Sequence, residues 1–394
     1  MKRPALEVAD IIRAHGAQFR QHHPTSREQQ RALAAIEHCR TATLGAHREQ
    51  FDQCGEEVIA YNSCRNRHCP KCQGSAQTAW VSKQQADLLP APYFHLVFTL
   101  PDELAPLALQ NQRVIYDLLF GAAWDTLRTI AADPRHLGAQ VGMIAVLHTW
   151  GQSLTHHPHL HCVVPGGGLS PDGTCWIASR KKFFLPVKVL SRLFRRLFLT
   201  ALQNAFEQAQ LAFHGQLAEL NQPLRFSSLL AQLWRKEWVV YAKRPFGGPA
   251  QVLNYLGRYT HRVAISNHRL LKLEDGQVTF RWKDYRDGQQ KLLTLRAEEF
   301  LRRFLLHILP DRFVRIRHYG LLSPRRRSKQ IAHCRQLLCS QPEATQLPPA
   351  SSKWNLSALW RRCQSCEQGR MRLVEIIEPG RLAQLQIVEN AQPP

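Results

Sequence analysis

Acidic residues are scarce in this sequence, which also has no long apolar run and no internal repeat. Its 394 residues include 30 Asp and Glu against 52 Lys and Arg, so the formal net charge is +22. No apolar stretch is long enough to span a bilayer. The N-terminal segment soon meets Glu7 and Asp10, and it lacks the apolar core and cleavage site of a signal peptide. We therefore expect a cytoplasmic protein.

The excess of positive charge favours a polyanionic partner. A positive field raises the local concentration of nucleic acid, and neutralising phosphates releases counterions. DNA or RNA is the expected partner, and a ribosome-associated or merely basic protein is the alternative. The densest basic runs contain Arg192, Arg195, Arg196, Arg325, Arg326 and Arg327.

The 11 cysteines are crowded rather than spread as in a secreted disulfide framework. Cys69 and Cys72 form a CxxC knuckle, and zinc takes four such ligands at tetrahedral angles. The crowding predicts a structural zinc site. A redox-active CxxC is the weaker alternative, because four thiols lie together without a strand-to-helix redox context. The other expected ligands are Cys54 and Cys64, with Cys39 and His47 as reserves.

The segment HTWGQSLTHHPHLHCVVPGGG carries two histidines that alternate on a strand. His159 and His161 then point to one face, while Leu160 points into the core. Two imidazoles side by side can hold one divalent cation. An HxH pair alone is a weak signal, because structural histidines are common. The third ligand stays open among Gln152, His157 and His148.

Two tyrosines lie one helical turn apart in NYLGRYTHRVAIS. Pro249 suits the first turn of this helix, and Tyr255 and Tyr259 share one of its faces. A tyrosine phenolate can attack a phosphodiester and form a covalent phosphotyrosine, which conserves the bond energy for rejoining. Arg258 and Arg262 add a cationic setting for phosphates. The alternative is a pair of half-buried structural aromatics.

Local patterns predict an α+β chain. Aromatic and β-branched runs predict strands over 93–100, 141–150 and 159–167, and helical periodicity predicts a helix over 187–213. Ser26 suits the N-cap of a helix near the start of the chain. The predicted segments are a helical and zinc-binding module (1–88), a nuclease domain (89–325), and a basic linker with a small tail (326–394).

Four strings in fixed order make the chain recognisable: YNSCRNRHCPKCQ, HTWGQSLTHHPHLHCVVPGGG, YLGRYTHRVAIS and FLRRFLLHILPDRFVRIRHYGLL. Together they resemble the insertion-sequence transposases with the HUH motif, and more narrowly the insertion-sequence-ninety-one group. The resemblance covers about Cys39 to Cys334. It implies an N-terminal zinc-binding module and an HUH nuclease domain with an antiparallel sheet flanked by helices. In that resemblance His159 and His161 match the metal-binding pair, and Tyr255 and Tyr259 match the nucleophile positions.

The activity implied by the resemblance is nicking at the end of a mobile element and strand transfer through a 5′-phosphotyrosine, in rolling-circle transposition. The implied cofactors are structural Zn²⁺ and catalytic Mg²⁺ or Mn²⁺, and the implied partner is single-stranded DNA. The side chains expected to bind DNA are Arg258, Arg262, Arg325, Arg326 and Arg327.

One position departs from the family pattern. Members often carry a cysteine where Phe51 stands, so the zinc ligand set stays open. Near the C-terminus, Cys363 and Cys366 resemble a second knuckle, with Cys334 and Cys339 as weakly supported partners.

Three other functions fit part of the pattern. A plasmid replication initiator or relaxase shares the HUH chemistry, although the zinc segment fused in front favours a transposase. A zinc-dependent DNA-binding regulator would bind duplex DNA without covalent adducts. A structural RNA-binding protein accounts for the charge but not for the histidine and tyrosine motifs.

Overall fold

In the computed structural model the described residues are 4–85, 87–180, 184–243, 257, 263–284, 287–339, 363, 366 and 369–379. Their α-helices are α1 (Val8–His22), α2 (Arg27–Glu37), α3 (Gln73–Gln85), α4 (Ala105–Gln110), α5 (Gln112–Ala132), α6 (Val187–Glu207), α7 (Pro223–Arg235), α8 (Ala297–Leu305) and α9 (Arg327–Cys339). Their strands are β1 (Ala46–Phe51), β2 (Glu57–Tyr61), β3 (Tyr93–Thr99), β4 (Gly142–Trp150), β5 (His156–Pro165), β6 (Gly167–Leu169), β7 (Trp176–Ala178), β8 (Val240–Lys243), β9 (Leu270–Glu274), β10 (Gln277–Lys283), β11 (Gln290–Arg296), β12 (Ile316–Gly320) and β13 (Met371–Ile377). None of these helices is long and apolar enough to cross a bilayer.

The chain divides into two compact units, and each combines segments that are distant in sequence. The first unit comprises Met1–Ala76, Ile265–Ile308 and Pro348–Pro394, and the second comprises Gln77–Ala264 and Leu309–Leu347. The sequence instead predicted three consecutive segments, and that functional division stays a prediction.

The second unit is built on a five-stranded sheet with the order β12-β4-β5-β3-β8. Every neighbouring pair in it is antiparallel. The helices and this antiparallel sheet confirm the predicted α+β class with antiparallel strands. The helix predicted over 187–213 is shorter than expected: α6 ends at Glu207, and Ala209 follows with a φ of 52°, which an α-helix does not allow.

The two faces of this sheet have different partners. Leu160, Cys162 and Val164 of β5 point to one face and are buried against α5, α6 and α7. The intervening residues of β5 point to the other face, where Val163 packs in a cluster with residues of α3 and α9. Three glycines follow β5, and the last two begin β6. A Cβ on Gly168 would lie 2.2 Å from the Gln140 carbonyl oxygen, so only glycine fits there.

The first unit contains two small sheets. Strands β9, β10 and β11 form one antiparallel sheet, and β1 pairs on its two edges with β2 and β13. Strand β13 lies in the tail, where the sequence predicted no strand. The predicted cap is confirmed, since Ser26 Oγ accepts a hydrogen bond from the Gln29 N–H at 3.3 Å at the start of α2.

Candidate functional site

Four cysteines converge in the first unit just after α2. The Sγ atoms of Cys39, Cys64, Cys69 and Cys72 all lie within 4.8 Å of one another, and we call these four residues the Cys39 group. Hydrogen bonds among the thiols shift their pKa values in opposite directions: Cys64 lowers the pKa of Cys39 to about 7, and Cys39 lowers that of Cys72 but raises those of Cys64 and Cys69. Four sulfur atoms at this separation suit one structural zinc ion, which binds them as thiolates.

The two ends of the β1–β2 hairpin separate the cysteines that lie near Cys39 from Cys54, which does not. Cys39 lies beside the base of this hairpin, where the Arg40 N–H donates to the Asn62 carbonyl oxygen at 3.1 Å. Cys54 lies in the turn at the other end, between Phe51 and Glu57. The structure therefore brings Cys39, expected only as a reserve, to Cys64, Cys69 and Cys72, and it does not bring Cys54 there. His47 lies on β1 and is not in the group.

Replacing Cys69 with serine is expected to remove about one zinc ion per chain, because three donors hold the metal far more weakly than four. Metal binding and folding are coupled in such sites, so the first unit should also become sensitive to protease. Zinc analysis and limited proteolysis of the full chain measure both effects. Cys175→Ser is the matched control, because Cys175 is exposed and lies outside the clusters. Unchanged zinc content in Cys69→Ser would refute the assignment.

Three histidines converge on one face of the five-stranded sheet. His159 and His161 lie on β5, and His148 lies opposite His159 on β4. One ring nitrogen from each falls within a 4.8 Å group. The Nε2 atoms of His159 and His161 are 3.2 Å apart. The alternation expected from the sequence therefore places both side chains together.

Hydrogen bonds at Nδ1 orient the two imidazoles of β5. His159 Nδ1 lies 2.7 Å from the His157 carbonyl oxygen, which only accepts, so Nδ1 carries a ring hydrogen and the lone pair of the neutral imidazole is on Nε2. His161 Nδ1 lies 2.9 Å from His95 Nε2. Burial lowers the pKa of His95 to about 4, which favours its neutral ring. The Nε2 atoms of His159 and His161, 3.2 Å apart, therefore face the same point, as in a two-histidine metal site.

His95 is a residue that the sequence reasoning missed. It lies on β3 between Phe94 and Leu96, which point into the core on the opposite face. The same alternation that singled out His159 and His161 could have found it. What the sequence did not show is that β3 lies next to β5 in the sheet.

The three candidates for a third metal ligand have different positions relative to His159 and His161. His157 Nδ1 lies 3.1 Å from Asp102 Oδ1, outside the histidine group. Gln152 is partly buried in the turn between β4 and β5. Among the candidates for a third ligand, the structure brings His148 to the pair.

Between residues 244 and 262, which include both tyrosines, the structure describes a single residue, Gly257. Tyr255 and Tyr259, like Arg258 and Arg262, lie outside the described residues. Gly257, between the tyrosines, is helical and buried, and a Cβ there would lie 2.7 Å from Val81 Cγ2 of α3. Val81 packs with the cluster on the histidine face of the sheet.

The three arginines near α9 differ in their surroundings. Arg325 and Arg326 are exposed and, with Arg128, line a cavity of about 610 Å³. Arg327 is partly buried, and its Nε lies 3.2 Å from Asp87 Oδ2. Arg325 and Arg326 are therefore better placed than Arg327 to meet a phosphate.

Comparison with known proteins gives matches along most of the chain. A family model described as "Putative transposase" matches residues 142–330, and one described as "Transposase zinc-binding domain" matches residues 11–100. The protein y4qJ of Sinorhizobium fredii, described in the same words as the first model, is 56% identical over 386 residues, which cover 96% of this chain and 97% of that protein. The "Transposase for insertion sequence element IS801" of Pseudomonas savastanoi pv. phaseolicola is 31% identical over 293 residues, which cover 73% of this chain and 68% of that protein.

No solved structure matches the chain. The family assignment therefore depends on the sequence matches, and these cover both the cysteine-rich segment and the histidine strand. The chain belongs to the insertion-sequence-ninety-one family of transposases and carries that family's N-terminal zinc-binding domain.

Proposed function

We propose that this transposase is an HUH-type endonuclease that nicks single-stranded DNA and transfers the cut strand through a 5′-phosphotyrosine in rolling-circle transposition. The observation that carries the proposal is the convergence of the His159 and His161 Nε2 atoms at 3.2 Å, with His148 in the same group. We further infer that the Cys39 group holds the zinc ion of the zinc-binding domain.

The histidine group fits a divalent cation. Its ligands are imidazoles, and contacts at Nδ1 orient both β5 rings so that their Nε2 atoms lie 3.2 Å apart. A bound Mg²⁺ or Mn²⁺ would polarise the scissile phosphate and support the leaving oxygen. The protein's own part is to hold these rings on adjacent strands of a rigid sheet, which fixes where the phosphate lies.

The tyrosines supply the nucleophile in this proposal. As the phenol loses its proton, its oxygen bonds to phosphorus, the bond from phosphorus to the 3′ oxygen breaks, and that oxygen takes up a proton. No water is consumed, and the phosphodiester energy is kept for rejoining. Support comes from Gly257, because this neighbour of Tyr255 and Tyr259 packs on α3, which lies on the histidine face of the sheet.

A non-enzymatic DNA-binding protein and an HUH replication initiator are the remaining alternatives. Cleavage of single-stranded oligonucleotides that tile the DNA flanking the gene separates them, because a transposase should cut at the element's ends. Metal-dependent cleavage within those flanks supports the proposal. Binding to the flanking DNA without cleavage would favour the regulator, and cleavage confined to a plasmid origin would favour the initiator.

Replacing His95 with alanine is expected to weaken Mn²⁺ binding by about 10- to 100-fold, because His161 loses the partner that orients its ring. Electron paramagnetic resonance of free Mn²⁺ measures the affinity, and raising the metal concentration should restore cleavage. His157→Ala is the matched control, because that side chain pairs with Asp102 instead. Unchanged affinity in His95→Ala, or a cleavage defect that excess metal does not relieve, would contradict this role.

Affinity for single-stranded DNA is expected to fall steeply with salt, because each neutralised phosphate contributes a slope of about −0.7 on logarithmic axes. The double variant Arg325→Ala/Arg326→Ala should reduce the slope by roughly 1.4 if each arginine meets one phosphate. Arg327→Gln is the control, since Asp87 already neutralises that guanidinium. A salt titration of oligonucleotide binding that gives a flat response would point to another partner.

A further inference from the structure

Three cysteine thiols outside the Cys39 group meet at the tip of the β1–β2 hairpin. The Sγ atoms of Cys54, Cys363 and Cys366 all lie within 4.8 Å of one another, and those of Cys54 and Cys363 are 3.4 Å apart. This separation is well beyond the ~2.05 Å of a disulfide bond, and none of the three cysteines is part of a disulfide. Because Cys54 and Cys363 are 309 positions apart in the chain, the fold itself brings them together.

Strand pairing anchors the tail on the hairpin tip. Strand β13 runs antiparallel to β1, with Met371 opposite Phe51. Just beyond the strands, the Asp52 N–H donates to the Arg370 carbonyl oxygen at 3.0 Å, and the Arg370 N–H donates to Asp52 Oδ1 at 2.7 Å. A Cβ on Gly369 would lie 3.4 Å from the Phe51 Cβ, so Gly369 is in ordinary van der Waals contact with the end of β1.

The thiols are arranged as metal ligands usually are. Cys363 is only 2% exposed, so its sulfur is shielded from solvent. The Cys366 N–H lies 3.5 Å from the Cys363 Sγ. Backbone N–H groups that point at sulfur stabilise the thiolate, which is the form that binds a metal.

A carboxylate beside Cys363 is the candidate for a fourth donor, and it lies outside the 4.8 Å group formed by the three thiols. Glu56 Oε2 lies 3.5 Å from Cys363 Sγ, and zinc accepts a carboxylate oxygen beside thiolates. Asp52 is also near, but its Oδ1 accepts from the Arg370 N–H and its Oδ2 lies 3.8 Å from the Arg372 guanidinium. Glu56 is therefore the better placed of the two acids.

We propose that Cys54, Cys363, Cys366 and Glu56 bind a second structural zinc ion, which fastens β13 of the tail to the N-terminal hairpin. Three thiolates select zinc over the hard cations that prefer all-oxygen sites. The thiols lose their protons to solvent as the sulfur–zinc bonds form. The matched zinc-binding domain covers residues 11–100, so Cys363 and Cys366 lie outside it.

Native mass spectrometry of the full chain tests the proposal by counting metal. Wild type is expected to carry about two zinc ions, from two sets of four ligands. Cys363→Ser/Cys366→Ser should carry about one, whereas Cys175→Ser should keep both. Glu56→Gln should lose its second zinc at a lower chelator concentration than wild type. Glu57→Gln is the control for Glu56→Gln, since Glu57 pairs with Arg48 instead.

Alkylation of the unmodified protein gives a readout that does not depend on how variants fold. With zinc bound, Cys54, Cys363 and Cys366 should react slowly and become reactive after chelation, while exposed Cys175 and Cys339 react in both states. A single zinc in wild type with fast alkylation of these three thiols would overturn the proposal. So would a Cys54–Cys363 disulfide that persists in reductant. DNA cleavage is measured separately, so this result leaves the proposed nuclease activity untouched.

Discussion

Alanine at His159 or His161 is expected to reduce cleavage of single-stranded DNA by at least about 10³-fold, since a bound cation contributes several kcal/mol and each ~1.4 kcal/mol is tenfold in rate. DNA affinity should change little, because phosphate-binding arginines remain. The measurement pairs a cleavage assay with an oligonucleotide binding titration of the same preparation. Loss of rate without loss of binding is the signature of a missing catalytic metal.

His157→Ala is the control on the same strand. Its side chain pairs with Asp102, and alanine keeps the backbone carbonyl that accepts from His159 Nδ1. This variant should cleave at close to the wild-type rate. Full cleavage by the His159→Ala/His161→Ala double variant, or by wild type in excess EDTA, would refute the metal-dependent mechanism.

The histidine pair could be predicted from the sequence because its geometry is local. Side chains two apart on a strand share a face whatever the rest of the fold does. The contributions of His148 and His95 could not be derived this way. They depend on which strands flank β5, and on a register shift in the β4–β5 pairing between His148 and Trp150.

The sequence predicted a zinc site but not its full set of cysteine ligands. Spacing alone indicated a metal site, but it did not say which thiols meet. The six residues of β1 separate the two ends of the hairpin by roughly 20 Å, at about 3.3 Å per residue. Cys54 is thereby carried away from Cys64, while the end of α2 brings Cys39 close. The positions of Cys39 and Cys54 depend on the fold, so spacing in the sequence could not predict them.

Phenylalanine at both Tyr255 and Tyr259 is expected to lower strand cleavage by at least roughly 10⁴-fold, as removal of a covalent nucleophile does. Phenylalanine keeps the ring and removes only the hydroxyl, so packing is preserved. One phenol could cut the donor strand while the other resolves the intermediate, or one could act alone. The single variants distinguish these cases: loss in only one of them identifies a single nucleophile, and retention in both shows that the two substitute for each other.

Tyr241 is the matched control for these variants. It lies on β8 opposite Val97 of β3 and is 52% exposed, and it alternates with the core residue Val240, so it points to the histidine face. Tyr241→Phe should retain cleavage. If it is the variant that loses cleavage, the nucleophile is on the sheet and not on the predicted helix.

A trapped covalent intermediate tests the central claim most directly. The substrate is an oligonucleotide that the protein cuts, with sulfur in place of the bridging 3′ oxygen at the cut, because the released thiol rejoins poorly. On a denaturing gel, 3′-labelled DNA should migrate with the protein, while 5′-labelled DNA should be released as a short free strand. Mass spectrometry should place the phosphate on Tyr255 or Tyr259. No adduct in the presence of metal-dependent cleavage, an adduct on the 5′-labelled strand, or an adduct that survives in Tyr255→Phe/Tyr259→Phe would contradict the mechanism.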